Sequence, residues 1–441
     1  MYRKYLDSPA QMANDSFRRS YVAGICFSAT RLCFLFSLIF LCEATDISAK
    51  TTSFLAGASL RQEYDSNIFR THQDETEEWN SYFSPILGLS SQGRINKSAL
   101  RYQPDFIYNN RNSNKSLNHN VFFNSDFTLQ RSKLSLSDTL IERKIPYADE
   151  DINIEITDKI GSRRYTANKA AAGLTFNFSE KSLISLGYSH YLFDAKNAAQ
   201  EDFIRQQPYA VLDIYYGPRW QTRVKHSYTY GDFEMSENIT TNESDFVLTN
   251  HLSSSQRILA HYTFTITDYT GDKPDYKDHT MGLGFGTSSR NLNFLLEGGA
   301  SIVKRELKKY EKAAFVLLDI TGNSGNTSYT FTGKSGFEGR YYTGVDEGLS
   351  RYWTAGLSIK NQLEKNLQSR VYANYRDDTY IELTPKRKER ILRSGASFTI
   401  SFFRWYSLIL DYTYSRFYAD IETDEYTDHR CFVELRAEKE L

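Results

Sequence analysis

Ser53-Phe54-Leu55-Ala56-Gly57-Ala58-Ser59-Leu60-Arg61-Gln62-Glu63-Tyr64-Asp65-Ser66-Asn67-Ile68-Phe69 is the stretch on which the fold turns. Phe54, Ala56, Ala58 and Leu60 fall on one side of an extended chain, and Leu55, Gly57, Ser59, Arg61 and Glu63 on the other. A period of two is the signature of a strand whose faces meet different surroundings. The run closes on Tyr64-Asp65-Ser66-Asn67-Ile68-Phe69, where Asp and Asn favour a turn between flanking aromatics. The same plan recurs along the chain: an alternating run of about ten to fifteen residues, a turn, another run.

Composition narrows what such strands can build. The chain has 441 residues, a formal net charge of -1 and 15% aromatic residues, with 32 Tyr and 29 Phe. Its mean hydropathy of -0.54 argues against a bundle of membrane helices. A barrel wall has one apolar and one polar face, so its average stays polar even in a membrane. The charge balance offers nothing that would attract nucleic acid.

One long apolar run lies near the N-terminus, Leu32 to Cys42 after Arg31, followed by the small residues Ala44, Ser48 and Ala49. This pattern reads as a secretory signal over residues 1–49, with the barrel occupying 50–441. Cys26, Cys33 and Cys42 lie in or beside that signal, which leaves Cys431 alone in the mature chain. An internal disulfide or a cysteine-based metal site is then excluded.

Link lengths alternate. Short links such as Ser179-Glu180-Lys181, Gly217-Pro218-Arg219, Ser253-Ser254-Ser255 and Glu364-Lys365-Asn366 are separated by longer polar ones at 145–162, 195–201, 234–240, 343–349 and 381–387. Transmembrane barrels have short periplasmic turns and longer external loops. The expectation is therefore an all-β fold: a transmembrane antiparallel up-and-down β-barrel of about 20 strands, within a range of roughly 16–20. A soluble propeller is the rival, but it should repeat a motif every 40–50 residues or so, and none recurs. A polar loop follows Phe69, and a second, rich in Asn and Ser, is expected over 109–118. The segment 304–312 reads equally as a loop or a short helix.

The apolar faces, for example Ala172, Leu174, Phe176 and Phe178, are assigned to lipid, with Trp79, Trp220, Trp353 and Trp405 at the interfaces. The opposite faces carry charge. The pore-lining candidates are Arg61, Arg101, Asp105, Arg223, Lys225 and Glu297 in the first two thirds of the chain. Arg340, Arg370, Arg376, Arg393, Asp411 and Arg436 follow in the last third. Basic residues outnumber acidic ones in this set, which would favour anions, although mixed signs also suit an internally paired wet wall.

No catalytic set emerges. The eight His are scattered without metal-ligand spacing, and Ser-His neighbours such as Ser189-His190 are expected by chance in so Ser-rich a chain. Asp272, Asp275 and Asp278, or Asp149, Glu150 and Asp151, lack the fixed spacing of a calcium loop. No enzyme activity, metal or cofactor is expected.

Tyr64-Asp65-Ser66-Asn67-Ile68-Phe69 resembles the Y-D-x-N-hydrophobic-aromatic opening of an outer-membrane β-barrel porin family, the second β-barrel porin family. Phe83-Ser84-Pro85-Ile86-Leu87-Gly88-Leu89 is similar to the proline-led second strand of that family. The resemblance covers about forty residues and implies a barrel in the outer membrane of a Gram-negative cell, in some relatives associated with exopolysaccharide export. The chain departs from common barrel endings, finishing Glu438-Lys439-Glu440-Leu441 without a terminal aromatic and leaving Phe432 as a displaced one. The expected partners are outer-membrane lipid and lipopolysaccharide, the barrel-assembly machinery, and a polysaccharide or small polar solute as cargo. The alternative expectation is a plugged structural or binding barrel, with loops 65–80 and 145–162 as the inward candidates.

Overall fold

The computed structural model describes residues 51–441 apart from 74, 112, 144–163, 196–200, 306–309, 341–347, 383–385 and 422–423. The first strands are β1 (Thr51–Asp65), β2 (Glu78–Gln92), β3 (Asn96–Tyr102), β4 (Asp105–Asn109), β5 (Lys115–Thr128) and β6 (Ser132–Arg143). Next come β7 (Tyr165–Asn177), β8 (Leu183–Asp194), β9 (Phe203–Tyr216), β10 (Trp220–Phe233), β11 (Ile239–His251), β12 (Gln256–Tyr269) and β13 (Tyr276–Ser288). The rest are β14 (Leu292–Arg305), β15 (Glu311–Ser324), β16 (Thr327–Arg340), β17 (Gly348–Glu364), β18 (Leu367–Tyr380), β19 (Arg387–Phe402), β20 (Tyr406–Ala419) and β21 (Tyr426–Glu440).

Strands pair with their sequence neighbours, except that β3 and β4 each pair with β2 on one side and β5 on the other, and β21 returns antiparallel to β1. At that seam Arg61 stands opposite Glu434 and Leu60 opposite Leu435. Closure leaves no open edge, which a spanning sheet requires because lipid cannot satisfy bare N–H and C=O groups.

The 21 strands make 20 staves, because β3 and β4 are collinear halves of one. Both halves keep one register against β2, with Leu87 opposite Tyr102 and Phe83 opposite Phe106. That register sets Pro85 against Pro104. Gln103 donates its N–H to Asn120 on β5, so the nitrogen of Pro104 is turned toward β2. Two prolines then occupy a pair that should exchange two ladder bonds, and neither has a hydrogen to give. The expected propeller-like alternative is overturned by the closed circuit.

Alternation survives the whole circuit. Outward positions are apolar and exposed, with Leu283 at 72% and Leu60 at 57%. In water such a band would be an association liability; facing lipid it is the stable arrangement. Three outward Tyr-His diagonals repeat around the wall at one spacing: Tyr102 with His119 (3.0 Å), Tyr262 with His279 (2.9 Å) and Tyr412 with His429 (2.9 Å). Each pair satisfies two polar atoms on the outward face. Trp79 and Trp353 stand toward the long-link end, and Trp220 and Trp405 at the short-link end.

Short links cluster at one end, such as 325–326 between β15 and β16 and 365–366 between β17 and β18. Long links, such as 66–77, occupy the other. The loop expected over 109–118 is shorter than its composition suggested, since β5 begins at Lys115, paired with Tyr108. Asn118, expected in that loop, and Asn120 after it are strand residues buried on the inner wall, where Asn120 Nδ2 donates to Gln103 O and Asp105 Oδ2. Segment 304–312 resolves in part: Lys304 and Arg305 end β14 and Glu311 and Lys312 open β15. The signal segment and the whole of loop 145–162, including Asp149 to Asp151, lie outside the described residues.

Candidate functional site: the inner wall

Period two on β1 sends Arg61, Glu63 and Asp65 inward, and the seam register joins them to the inward residues of β21. Eight of the twelve residues selected from sequence share one continuous arc, from β18 through the seam to β4: Arg370, Arg376, Arg393, Asp411, Arg436, Arg61, Arg101 and Asp105. Arg223 and Lys225 lie apart on β10, and Glu297 on β14. Arg340 ends β16 opposite Gly348, and its side chain lies outside the described set.

Within the arc, charges are paired rather than bare. Arg61 Nε is 3.7 Å from Glu63 Oε2, and its guanidinium lies 4.0 Å over the Tyr82 ring. Tyr82 donates its hydroxyl to Glu63 Oε1 at 3.1 Å. Phe432 points inward too, 5.4 Å from the same guanidinium, so it is not an outward terminal aromatic. Arg436 donates to Glu434 and Arg101 reaches Glu438 at 3.4 Å. Arg376 makes a two-toothed contact with Asp378 (2.6 and 2.8 Å) and also reaches Glu338. Asp105 accepts from Ser84 and Asn120, and Asp411 from Thr413. Arg370 lies over the Tyr372 ring at 5.2 Å. Lys225 reaches Glu243 at 3.3 Å.

Sequence reading missed the largest of these clusters away from the arc. His261 on β12 holds Asp245 Oδ1 at 2.6 Å through Nε2 and Glu297 Oε2 at 2.9 Å through Nδ1. Carboxylates only accept, so the ring donates from both nitrogens. The Glu297 contact bridges a whole strand. It is open because the inward positions of β13 include Gly282, Gly284 and Gly286, and a Cβ on Gly284 would meet Glu297 Cγ at 2.7 Å. The alternating glycines were the available signal.

At the long-link end the inner wall turns apolar. Tyr165, Phe193, Phe203, Phe233, Ile239, Tyr269 and Tyr276 belong to one buried cluster. Its rings run in contact from Tyr165 to Phe193 (5.6 Å), Phe203 (5.5 Å) and Phe233 (5.6 Å). Tyr269 at the end of β12 donates to Glu382, just past β18, at 3.3 Å. That bond joins strands six staves apart across the mouth. Lys386 likewise reaches Glu311 at 3.2 Å.

Carboxylates brace the links at this end. Glu201 accepts from the Met235 N–H and the Ser236 hydroxyl of the next link (3.2 and 2.8 Å), and Glu237 accepts the N–H groups of Asp272 and Lys273 in the link after that. Asp202 accepts the Ala195 N–H at 2.7 Å, and burial pushes its pKa up to about 6. Loop 66–77 is held locally, with Asn67 Nδ2 donating to the carbonyls of Thr71 and Thr427.

Ser189 faces inward and His190 outward, so this neighbouring pair cannot act together. Asp275 accepts the Tyr269 N–H, Asp278 accepts from Ser301, and among the described residues no three ligating side chains converge on a metal position.

No family model matches the chain, and no curated protein does. Among solved structures, the outer membrane protein opdK from Pseudomonas aeruginosa aligns over 88% of this chain and 99% of its own, at 12% identity and a TM-score of 0.45. A BenF-like porin from Pseudomonas fluorescens Pf-5 covers the same shares at 11% identity and a TM-score of 0.45. Acinetobacter baumannii OccAB3 does so at 9% identity and 0.43. These likenesses are weak, and the chain's own faces carry more weight. With its closed circuit, outward apolar band and charged inner wall, the chain is a closed antiparallel up-and-down β-barrel with the two faces of a membrane-spanning one.

Proposed function

We propose that this barrel is a channel in a bacterial outer membrane for small polar solutes. The observation that carries the reading is the inner wall itself: charged and polar side chains line a closed 20-stave circuit whose outer face is apolar. Barrels of roughly 16–18 strands enclose aqueous channels, while those of about 22 are plugged, so contents rather than size decide here. Arg61, Arg101, Arg376 and Arg436 with their carboxylate partners, and Arg370 and Arg393 on the same arc, act as the field-bearing wall of the pore. Because they are paired, the wall orients polar solutes across its sign boundaries more than it concentrates anions.

A second reading is favoured by the apolar ring cluster and the Tyr269–Glu382 bond at the mouth. Hydrophobic constrictions gate by excluding water, and such a barrel would conduct rarely. Export of polysaccharide is the finer possibility for cargo, and it rests on the resemblance of two short motifs.

Single-channel recording of the refolded barrel under a salt gradient separates the readings. Steady conductance with a small reversal potential supports the paired-wall channel. Inserted protein that stays silent overturns it in favour of the closed mouth. Liposome swelling with sugars of increasing size then sets the cargo limit.

A further inference from the structure

The outward face at the long-link end is split by charge. On β6 to β12 acidic side chains predominate, with Glu142, Asp194, Asp232 and Asp268 all at outward register positions and Glu142 paired with Arg164. On β13 to β20 most are basic, with Asp377 paired to Arg390 and Asp420 beside Lys388 as acidic members. Lys277 stands directly opposite Lys304, and Lys312 lies on the next strand, diagonal to Lys304. Arg351 and Lys388 flank Thr379 in the same way on β17 and β19.

Like charges set opposite each other destabilise a sheet by themselves. Lys277, Lys304 and Lys312 are exposed, and no described acidic side chain lies in ion-pair range of them. The Lys304 ammonium lies 5.9 Å from the Tyr310 ring. A cost kept on three adjacent strands at one depth calls for an anion that no described side chain supplies.

We infer that Lys277, Lys304 and Lys312 form a docking site for the phosphates of lipopolysaccharide in the outer leaflet, with Arg351 and Lys388 extending it along the same rim. The inference rests on the outer-membrane reading, in which long links face outward. Adjacent strands are about 4.8 Å apart, so the three ammonium groups span a width that one phosphorylated sugar headgroup can bridge. Their alkyl stems lie along the apolar band while the charges reach the headgroup level. The acidic arc on β6–β12 would repel the same phosphates, which makes the lipid bind on one side of the barrel.

Native mass spectrometry of the full chain in detergent, with purified lipopolysaccharide as the probe, tests this. The wild type should retain lipopolysaccharide, and the triple variant Lys277→Gln, Lys304→Gln, Lys312→Gln should bind it at least about tenfold more weakly. Chemically dephosphorylated lipopolysaccharide should bind the wild type as weakly as the intact lipid binds the variant. Being outward and exposed, the substitutions should leave the heat-modifiable band of the folded barrel unchanged. Equal retention by a folded variant overturns the inference, as does binding that ignores phosphate removal. A wild-type dimer that the variant abolishes would also overturn it, making the acidic arc of a second copy the occupant. A barrel that fails to insert into bilayers would instead sink the outer-membrane reading, and conductance bears on neither result.

Discussion

At Glu63 the wall holds a carboxylate that is only 1% exposed, between the guanidinium of Arg61 and the hydroxyl of Tyr82. Removing one member of a buried ion pair costs more than the pair contributes, because the other charge is left without a partner. Glu63→Ala should therefore destabilise the barrel by about 3 kcal/mol, read as a lower urea midpoint for loss of the compact band. Glu63→Gln should lose less, since it still accepts from Tyr82. Asp202 makes the matching test in pH. Its folded pKa is about 6, raised first by burial, so the protonated form is the one that folding favours. Its stabilising contribution is then complete below the ordinary carboxyl value near 4 and fades as pH rises through about 6. Opening of the link at Ala195 should grow over that window beyond the intrinsic rise in amide exchange. Asp202→Asn, which keeps an acceptor for Ala195, should remove the excess. Single-residue roles were only half legible from sequence. Period two put Arg61 and Glu63 on the inner face, but Glu434 meets them only because the chain closes, and closure leaves no local mark.

Strands were legible at the level of elements because each one has a lipid face and a wet face, and that contrast writes a period of two into the residues. It failed where the contrast failed. The start of β5, residues 115–118, looked like loop because it is polar, although Asn118 is buried in the wall. The Pro85–Pro104 pair splits a stave that alternation alone reads as continuous. On β13 the inner face alternates glycine, and those glycines are what let His261 and Glu297 meet. Gly284→Val places atoms against Glu297 Cγ and the Leu259 side chain, at 2.7 and 3.0 Å already for the Cβ. The expected cost is about 1–3 kcal/mol, measured by urea unfolding, with loss of the His261–Glu297 contact seen in the histidine ring NMR signals. Gly298 sits outward with open space around its Cβ position. Gly298→Val should be neutral or slightly stabilising, since a strand interior loses less entropy without glycine. An equal loss at both positions would mean that glycine is needed for strand closure and not for the contact across β13.

On the scale of the whole molecule, the alternation of link lengths and of faces sufficed to foresee a closed barrel, but the mouth was hidden from sequence. Phe193, Phe203 and Phe233 sit at the ends of three successive strands, and nothing in a linear reading says that their rings touch. Their contact, with the Tyr269–Glu382 bond spanning the opening, makes the mouth the place where flow is decided if the barrel conducts. Two effects separate here. Phe203→Ala removes a ring from the centre of the run, and should raise single-channel conductance if that run narrows the path. Its stability cost, about 3–5 kcal/mol for a buried Phe, is read independently from urea unfolding. Tyr269→Phe removes the hydroxyl that reaches Glu382 and keeps the ring. If the cross-mouth bond is the gate, Tyr269→Phe should raise open probability with unchanged unitary conductance, whereas Phe203→Ala should raise the unitary value itself. Should both variants leave both quantities at the wild-type level, the restriction lies elsewhere along the lumen, and the charged arc around Arg61 and Arg376 becomes the narrowest point to test.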